Sequence, residues 1–225
     1  MTLLSPPDAM MVNAAHLTAI MLSSVDGADA LTESAATANV VILGPAAGLT
    51  ARTLAYAETL LRSPARCVLD ADALTVFSDD PARLFALLRP GDVLTPHTGE
   101  FQRLFGDLLT AAPNKIEAAR AAAAKAGCVV VVKGADTVIA EPGGNALVNT
   151  HATRWLATAG SGDVLAGFMA GFMSQGVDTF TAAAMATWIH GEAGIRIGAG
   201  LISEDLEQEL PDILSALHGE IQVQT

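Results

Sequence analysis

The chain has 225 residues, 51% of them hydrophobic and only 16% charged, which supplies a large core and excludes global disorder. Twelve Lys and Arg against twenty-four Asp and Glu leave a net charge of −12, which argues against a nucleic-acid or anionic-membrane footprint. A local phosphate site stays open, because backbone N–H groups bind anions without basic side chains. The length suits one domain spanning residues 1–225.

In chain order, Thr2–Leu4 reads as the end of a strand, cut off at once by Pro6-Pro7. Apolar runs at Val40–Leu43, Cys67–Asp70, Val93–Thr95 and Val129–Lys133 read as strands. Between them Thr50–Arg62, Pro81–Leu88, Gly99–Phe105 and Asn114–Ala126 read as helices. Continuous apolar strands separated by helices predict a parallel sheet buried on both faces. Thr137–Ala140 and Ala146–Asn149, joined by a Pro-Gly-Gly-Asn turn, predict a hairpin. Helices follow at Ser161–Gln175, Thr179–Gly198 and Ser203–His218, the last with Ser203 as N-cap. Cys67 and Cys128 lie in apolar runs and read as buried free thiols. The first basic residue is Arg52, so the N-terminus lacks the charged start of a signal peptide. No apolar stretch reaches bilayer length, and cytoplasm is the expected setting.

The strongest chemical signal is Gly160-Ser161-Gly162-Asp163 at the start of a helix. Glycines let backbone approach a ligand closely, and free N–H groups at a helix start favour an anion. Asp163 in that turn could take a proton from a substrate hydroxyl, or be only a partner of the helix dipole. Gly167 and Gly171, four apart, read as close-packing positions. In Thr95-Pro96-His97-Thr98-Gly99-Glu100, His97 falls at the C-terminal edge of the sheet, where open α/β folds bind ligands, or is only a loop histidine with Glu100 as a helix-start acid, the better reading of this segment alone. Lys133 ends a strand and could meet a phosphate, or merely extend into solvent. Asp70 and Asp72 follow a buried strand and could face a substrate hydroxyl or a metal–phosphate site, or one could cap the next helix. Gly44-Pro45-Ala46-Ala47-Gly48 suits a tight turn over a ligand and is not a Walker loop. His16 and His190 fall in apolar helices as packing residues, and no Cys/His cluster has zinc spacing.

Taken together and in this order, Asp70-Ala71-Asp72-Ala73-Leu74, Thr95-Pro96-His97 with Gly99-Glu100, Lys133-Gly134-Ala135-Asp136-Thr137 and the glycine box resemble the NAD(P)H-hydrate dehydratase family. The resemblance implies a ribokinase-like fold: a three-layer α/β/α domain with a mostly parallel central sheet. It implies repair of hydrated NADH or NADPH, driven by ADP or ATP with Mg2+: the hydrate hydroxyl is phosphorylated, then phosphate is eliminated. It also implies Asp163 as the base; His97, Gly44, Gly48 and Asp163 at the hydrate; and Lys133, Gly134, Ala135, Asp136, Thr137, Gly160, Ser161 and Gly162 at the nucleotide. No metal-ligating residue is assigned. A homo-oligomer and a fused or separate NAD(P)H-hydrate epimerase are the partners it implies. The alternatives are a ribokinase-like small-molecule kinase and a non-catalytic nucleotide-binding module. Two departures stand out. Ala46 replaces a glycine of the family turn. The chain also opens one strand–helix unit into the family pattern, an N-terminal truncation that predicts an exposed sheet edge.

Overall fold

A computed structural model describes residues 1–223, with side chains as far as Gly219. The elements are β1 (Thr2–Ser5), α1 (Met10–His16), β2 (Met21–Ser24), α2 (Gly27–Ala35), β3 (Val40–Leu43), α3 (Ala51–Arg62), β4 (Arg66–Leu69), α4 (Asp72–Thr75), α5 (Pro81–Phe85), β5 (Val93–Leu94), α6 (Thr98–Phe105), α7 (Leu108–Ala111), α8 (Lys115–Ala126), β6 (Val129–Val132), β7 (Thr137–Ala140), β8 (Ala146–Asn149), α9 (Ser161–Ser174), α10 (Thr179–Ile197) and α11 (Ser203–Val223). Strands β3 to β6 pair in parallel in chain order, and β7 and β8 extend the sheet as the expected antiparallel hairpin.

The apolar runs work because successive side chains point to opposite faces. Cys67, Leu69, Leu94, Val130 and Val132 enter one core with Leu31, Leu60, Ala119 and Ala122. Val68, Val93, Val129 and Val131 enter the other with Met169, Met173, Ala182, Ile189, Leu206 and Ile213. Each fully buried Val or Leu contributes about 1.5–3 kcal/mol, and the result is three layers with the sheet in the middle. Helix α8 lies close because its buried face is alanine: Ala118, Ala119, Ala122, Ala123 and Ala126. A leucine at Ala122 would overpack that contact by about 1–3 kcal/mol.

Helix ends follow local chemistry. Thr50 and Asn114, read as first helical residues, are N-caps, each accepting from the N–H three residues on. Ser203 is the first residue of α11 and not its cap; Asp205 Oδ2 instead accepts from the Ile202 N–H at 3.1 Å. Gly167 and Gly171 do not pack closely: both are exposed, with open space where a Cβ would stand. The close-packing glycines are Gly191 and Gly194 on α10, where a Cβ would lie 1.8 Å from His151 O and 2.7 Å from the Leu156 side chain. His16 ends α1 on the surface and is not a packing residue.

The N-terminal strand forms as read, but β2 and the helices α1 and α2 carry no comparable signal in the sequence. Strands β1 and β2 pair in parallel as a separate two-stranded sheet. Leu4, Val25, Leu31 and Ala35 tie this unit into the core that Leu60 and Leu69 share. Among the described residues strand β3 therefore bonds only to β4 and leaves its other edge open, and Ile42 within it is 40% exposed. The expected open edge is present. Among the described residues, no helix is long and apolar enough to cross a membrane.

Candidate active site

Parallel strands joined by helical crossovers bring their following loops together at one sheet edge. The Asp70 N–H bonds Leu43 O at 3.1 Å, Thr95 N–H bonds Leu69 O at 3.1 Å, and Lys133 N–H bonds Pro96 O at 2.9 Å. The Gly44–Gly48 turn, Asp70, His97 and Lys133 thus line consecutive positions along the edge.

At its centre Lys133 Nζ lies 2.6 Å from Asp70 Oδ1, and Asp70 is 1% exposed. Asp70 is held by its own backbone. The Ala71 N–H donates to Asp70 Oδ1 at 2.8 Å, and Ala71 adopts φ 47° and ψ −118°. A non-glycine residue there stores about 1–3 kcal/mol. Gly44 is buried and packs on the same turn; a Cβ on it would stand 1.6 Å from Asp70 O. The turn divides the two carboxylates. Asp70 reaches Lys133, while Asp72 Oδ2 accepts from the Gly48 N–H at 2.8 Å. Neither side chain caps α4.

The first turn of α9 closes over this pair. A Cβ on Gly162 would lie 3.2 Å from Lys133 Nζ and 3.8 Å from Asp70 Oδ2. The Gly162 N–H has no hydrogen-bond partner among the described residues. A free N–H, an ammonium group and the positive end of a helix converge, which is the chemistry of an anion site. Gly160 opens the helix at φ 81°. Ser161 is 4% exposed, with its hydroxyl against His190, so the glycine box offers a ligand its backbone and not that hydroxyl. Asp163 is exposed in the same turn. Partial burial pushes its carboxyl above the ordinary range, the charge of Asp70 adds to this, and Lys133 opposes it.

The segment after Lys133 is a tight turn. Thr137 Oγ1 donates to Gly134 O at 3.0 Å and accepts from the Gly134 N–H at 3.3 Å. Gly134 and Ala135 are exposed at its tip. Asp136 turns away to Lys115, whose Nζ lies 2.6 Å from Asp136 O and 2.9 Å from Oδ1 and holds that carboxyl below its usual range. On the opposite flank, His97 is the N-cap of α6: its Nδ1 accepts from the Gly99 N–H at 2.9 Å, and Glu100 Oε2 accepts from the His97 N–H at 2.8 Å. The ring is exposed, and its other nitrogen, Nε2, lies 3.3 Å from Glu100 Oε1, so both ring nitrogens meet the first turn of α6. Ala46 stands at φ 53°. The position that the family pattern fills with glycine does need positive φ, and alanine bears the cost here.

The sequence matches the NAD(P)H-hydrate dehydratase family over residues 1–215. The chain belongs to that family. It is 38% identical over 202 residues to the ADP-dependent (S)-NAD(P)H-hydrate dehydratase of Xanthomonas campestris, covering 86% of this chain and 67% of that one. It is 37% identical over 198 residues to the bifunctional NAD(P)H-hydrate repair enzyme Nnr of Salinibacter ruber, covering 85% of this chain and 36% of that one. The chain spans about a third of the length of the bifunctional relatives it matches. A ribokinase-like superfamily protein from Enterococcus faecalis superposes with a TM-score of 0.83 at 25% identity, over 96% of this chain and 76% of that one. The ADP/ATP-dependent NAD(P)H-hydrate dehydratase of Bacillus subtilis superposes with a TM-score of 0.76 at 24% identity, over 96% and 81%. The ribokinase-like α/β fold follows.

On this dehydratase-family scaffold the structure joins Lys133, Asp70, Gly162 and Asp163, and links Gly48 to the same turn through Asp72. It brings in Lys115, which sequence reasoning passed over, and His190, which it read only as a packing residue. Both sit on helices far along the chain from their partners, so no local motif marks them. His151, near the glycine box in sequence, instead stacks on Trp188 at 5.0 Å and meets Glu192 at 2.8 Å. Among the described residues no group of three His, Cys, Asp or Glu side chains could hold a metal. Asp70 Oδ1 is engaged by Lys133, and a divalent ion would fit here as one carried largely on nucleotide phosphates.

Proposed function

We propose that this chain, acting as one domain, uses ADP to return hydrated NADH or NADPH to its reduced form. The observation that carries the reading is the Lys133–Asp70 pair beneath the unpartnered Gly162 N–H, with Asp163 in the same turn. The site fits a transferred phosphoryl group on one side and a hydroxyl-bearing substrate on the other. The Xanthomonas campestris relative, named as ADP-dependent, supports ADP as the donor.

Asp163 takes the proton of the hydrate hydroxyl, and that oxygen bonds the terminal phosphorus of ADP while the bond to the AMP oxygen breaks. Its raised proton affinity suits a base. Lys133 and the Gly162 N–H receive the charge on the phosphoryl oxygens, in the geometry that makes such donors effective. The phosphate then leaves the ring carbon, a proton leaves its neighbour, and the double bond returns. The products are reduced cofactor, AMP and phosphate. Mg2+, bound with the nucleotide, supplies charge neutralisation. Gly134 to Thr137 form the adenine-side wall; His97 and the Gly44–Gly48 turn flank the hydrate. The same reading carries a homo-oligomer in the cytoplasm, with the epimerase either fused or separate.

The test is recovery of reduced-nicotinamide absorbance from purified NADPH hydrate with Mg2+ and either ADP or ATP. Recovery that needs nucleotide, and that Asp163→Asn abolishes, is expected. Recovery without nucleotide, or full activity in Asp163→Asn, would overturn the assignment. Turnover of another alcohol, with the hydrate untouched, would make the chain a small-molecule kinase.

A further inference from the structure

The α9 turn that carries Gly162 and Asp163 is fastened from behind by one side chain. His190 on α10 is 7% exposed, and its Nε2 lies 2.9 Å from Ser161 O and 3.0 Å from Ser161 Oγ. A carbonyl oxygen only accepts, so Nε2 carries the ring proton and donates it. The Phe168 ring stands edge-on to the imidazole at 6.4 Å and helps wall it from water. Gly191, the next residue, lets α10 seat against the His151 carbonyl, so His190 is placed by helix packing and not by a loop.

The Ser161 C=O and the Gly162 N–H belong to one planar peptide unit, pointing in opposite directions. A donor that fixes the carbonyl therefore aims the N–H. Helix first turns otherwise fray, because their N–H groups lack internal partners. We propose that His190 is a positioning residue: its Nε2–H locks the Ser161–Gly162 peptide so that the Gly162 N–H and the Asp163 carboxylate face one anion site. The proposal rests on the nucleotide-dependent reading above.

The imidazole stays neutral across the working range. Burial pulls its pKa down to about 4; the Ser161 backbone opposes this, and the charge of Lys133 adds to it. The charged groups facing the turn are Asp70 from the end of β4 and Lys133 from the end of β6, with neutral His190 behind from α10.

The test compares His190→Leu, which removes the donor, with His190→Gln, which keeps an N–H of similar reach. In His190→Leu, kcat for NADPH hydrate is expected to fall about 10- to 100-fold. The acidic limb of its kcat–pH profile is expected to move to lower pH, because a loosened turn wets Asp163. His190→Gln is expected to restore both. A purely structural histidine would lower melting temperature and active fraction and leave that limb in place.

Amide hydrogen exchange at Asp163 and Val164, whose N–H groups bond Gly160 O at 3.0 and 3.2 Å, gives a readout that needs no turnover. Faster exchange in His190→Leu than in wild type is expected. A folded His190→Leu with wild-type exchange and a wild-type acidic limb overturns the inference. If wild type itself fails to repair the hydrate, the functional reading falls, while the exchange comparison still decides the role of His190. Should His190→Leu not fold, His190→Asn, too short to reach Ser161, takes its place with the same outcomes.

Discussion

Lys133 Nζ and Asp70 Oδ1 meet at 2.6 Å under the glycine turn of α9, with Asp70 only 1% exposed. A buried carboxylate of this kind needs its cation, since the desolvation of an unpaired charge costs several kcal/mol. Lys133→Met should therefore destabilise the fold and remove the ammonium from the anion site. Activity should fall about 10²–10³-fold, the scale of losing one preorganised donor. Asp70→Asn should also impair activity by freeing Lys133. The double variant should be less destabilised than the two single effects added together. Urea unfolding of the four proteins checks this.

Asp163 titrates above its ordinary range in the folded protein. A raised carboxyl favours the protonated form on folding, so its ionised form at neutral pH costs stability. That cost is present above the raised pKa and vanishes as pH falls below the unfolded value. Asp163→Asn should therefore melt higher than wild type near neutral pH, with the gap closing in acid. Activity runs the opposite way: wild-type turnover should decline as pH falls through the raised pKa. Thermal melts and a kcat–pH profile read the two signs separately.

Ala71, at φ 47° and ψ −118°, stores strain between the two carboxylates. Ala71→Gly should relieve it and stabilise by about 1 kcal/mol, part of the gain being offset by the greater freedom of glycine when unfolded. Activity should fall, because Asp70 and Asp72 lose their fixed division of labour. A rise in melting temperature accompanied by a fall in kcat is the expected pair of results.

Strand β3 exposes Ile42 on an unpaired edge. Such an edge invites pairing with another chain, and lysine is a common guard against it. Ile42→Lys should slow concentration-dependent aggregation in light scattering and change the unfolding free energy by less than about 1 kcal/mol.

The sequence by itself determined the local parts of this protein. Four apolar runs marked the parallel strands; β4, β5 and β6 are apolar because both faces are covered, whereas β3 is only half-buried, so its run did not reveal the open edge. The Pro-Gly-Gly-Asn turn fixed the hairpin, and Thr50 and Asn114 marked helix starts to within one residue. The glycine box marked the start of α9, which opens at Gly160 with φ 81°. Tertiary structure decided the rest. Whether Asp70 capped a helix or met Lys133 depended on β4 and β6 ending side by side across β5. Gly167 and Gly171 looked like packing glycines, but the contact went to Gly191 and Gly194, because the rotation of a helix about its axis is set by its neighbours. His190 read as a core histidine, and it is one; only the crossing of α10 over α9 shows that its buried proton is spent on Ser161. Contacts between residues so distant in the chain leave no periodicity to read, because their geometry is fixed by the packed layers and not by the local backbone.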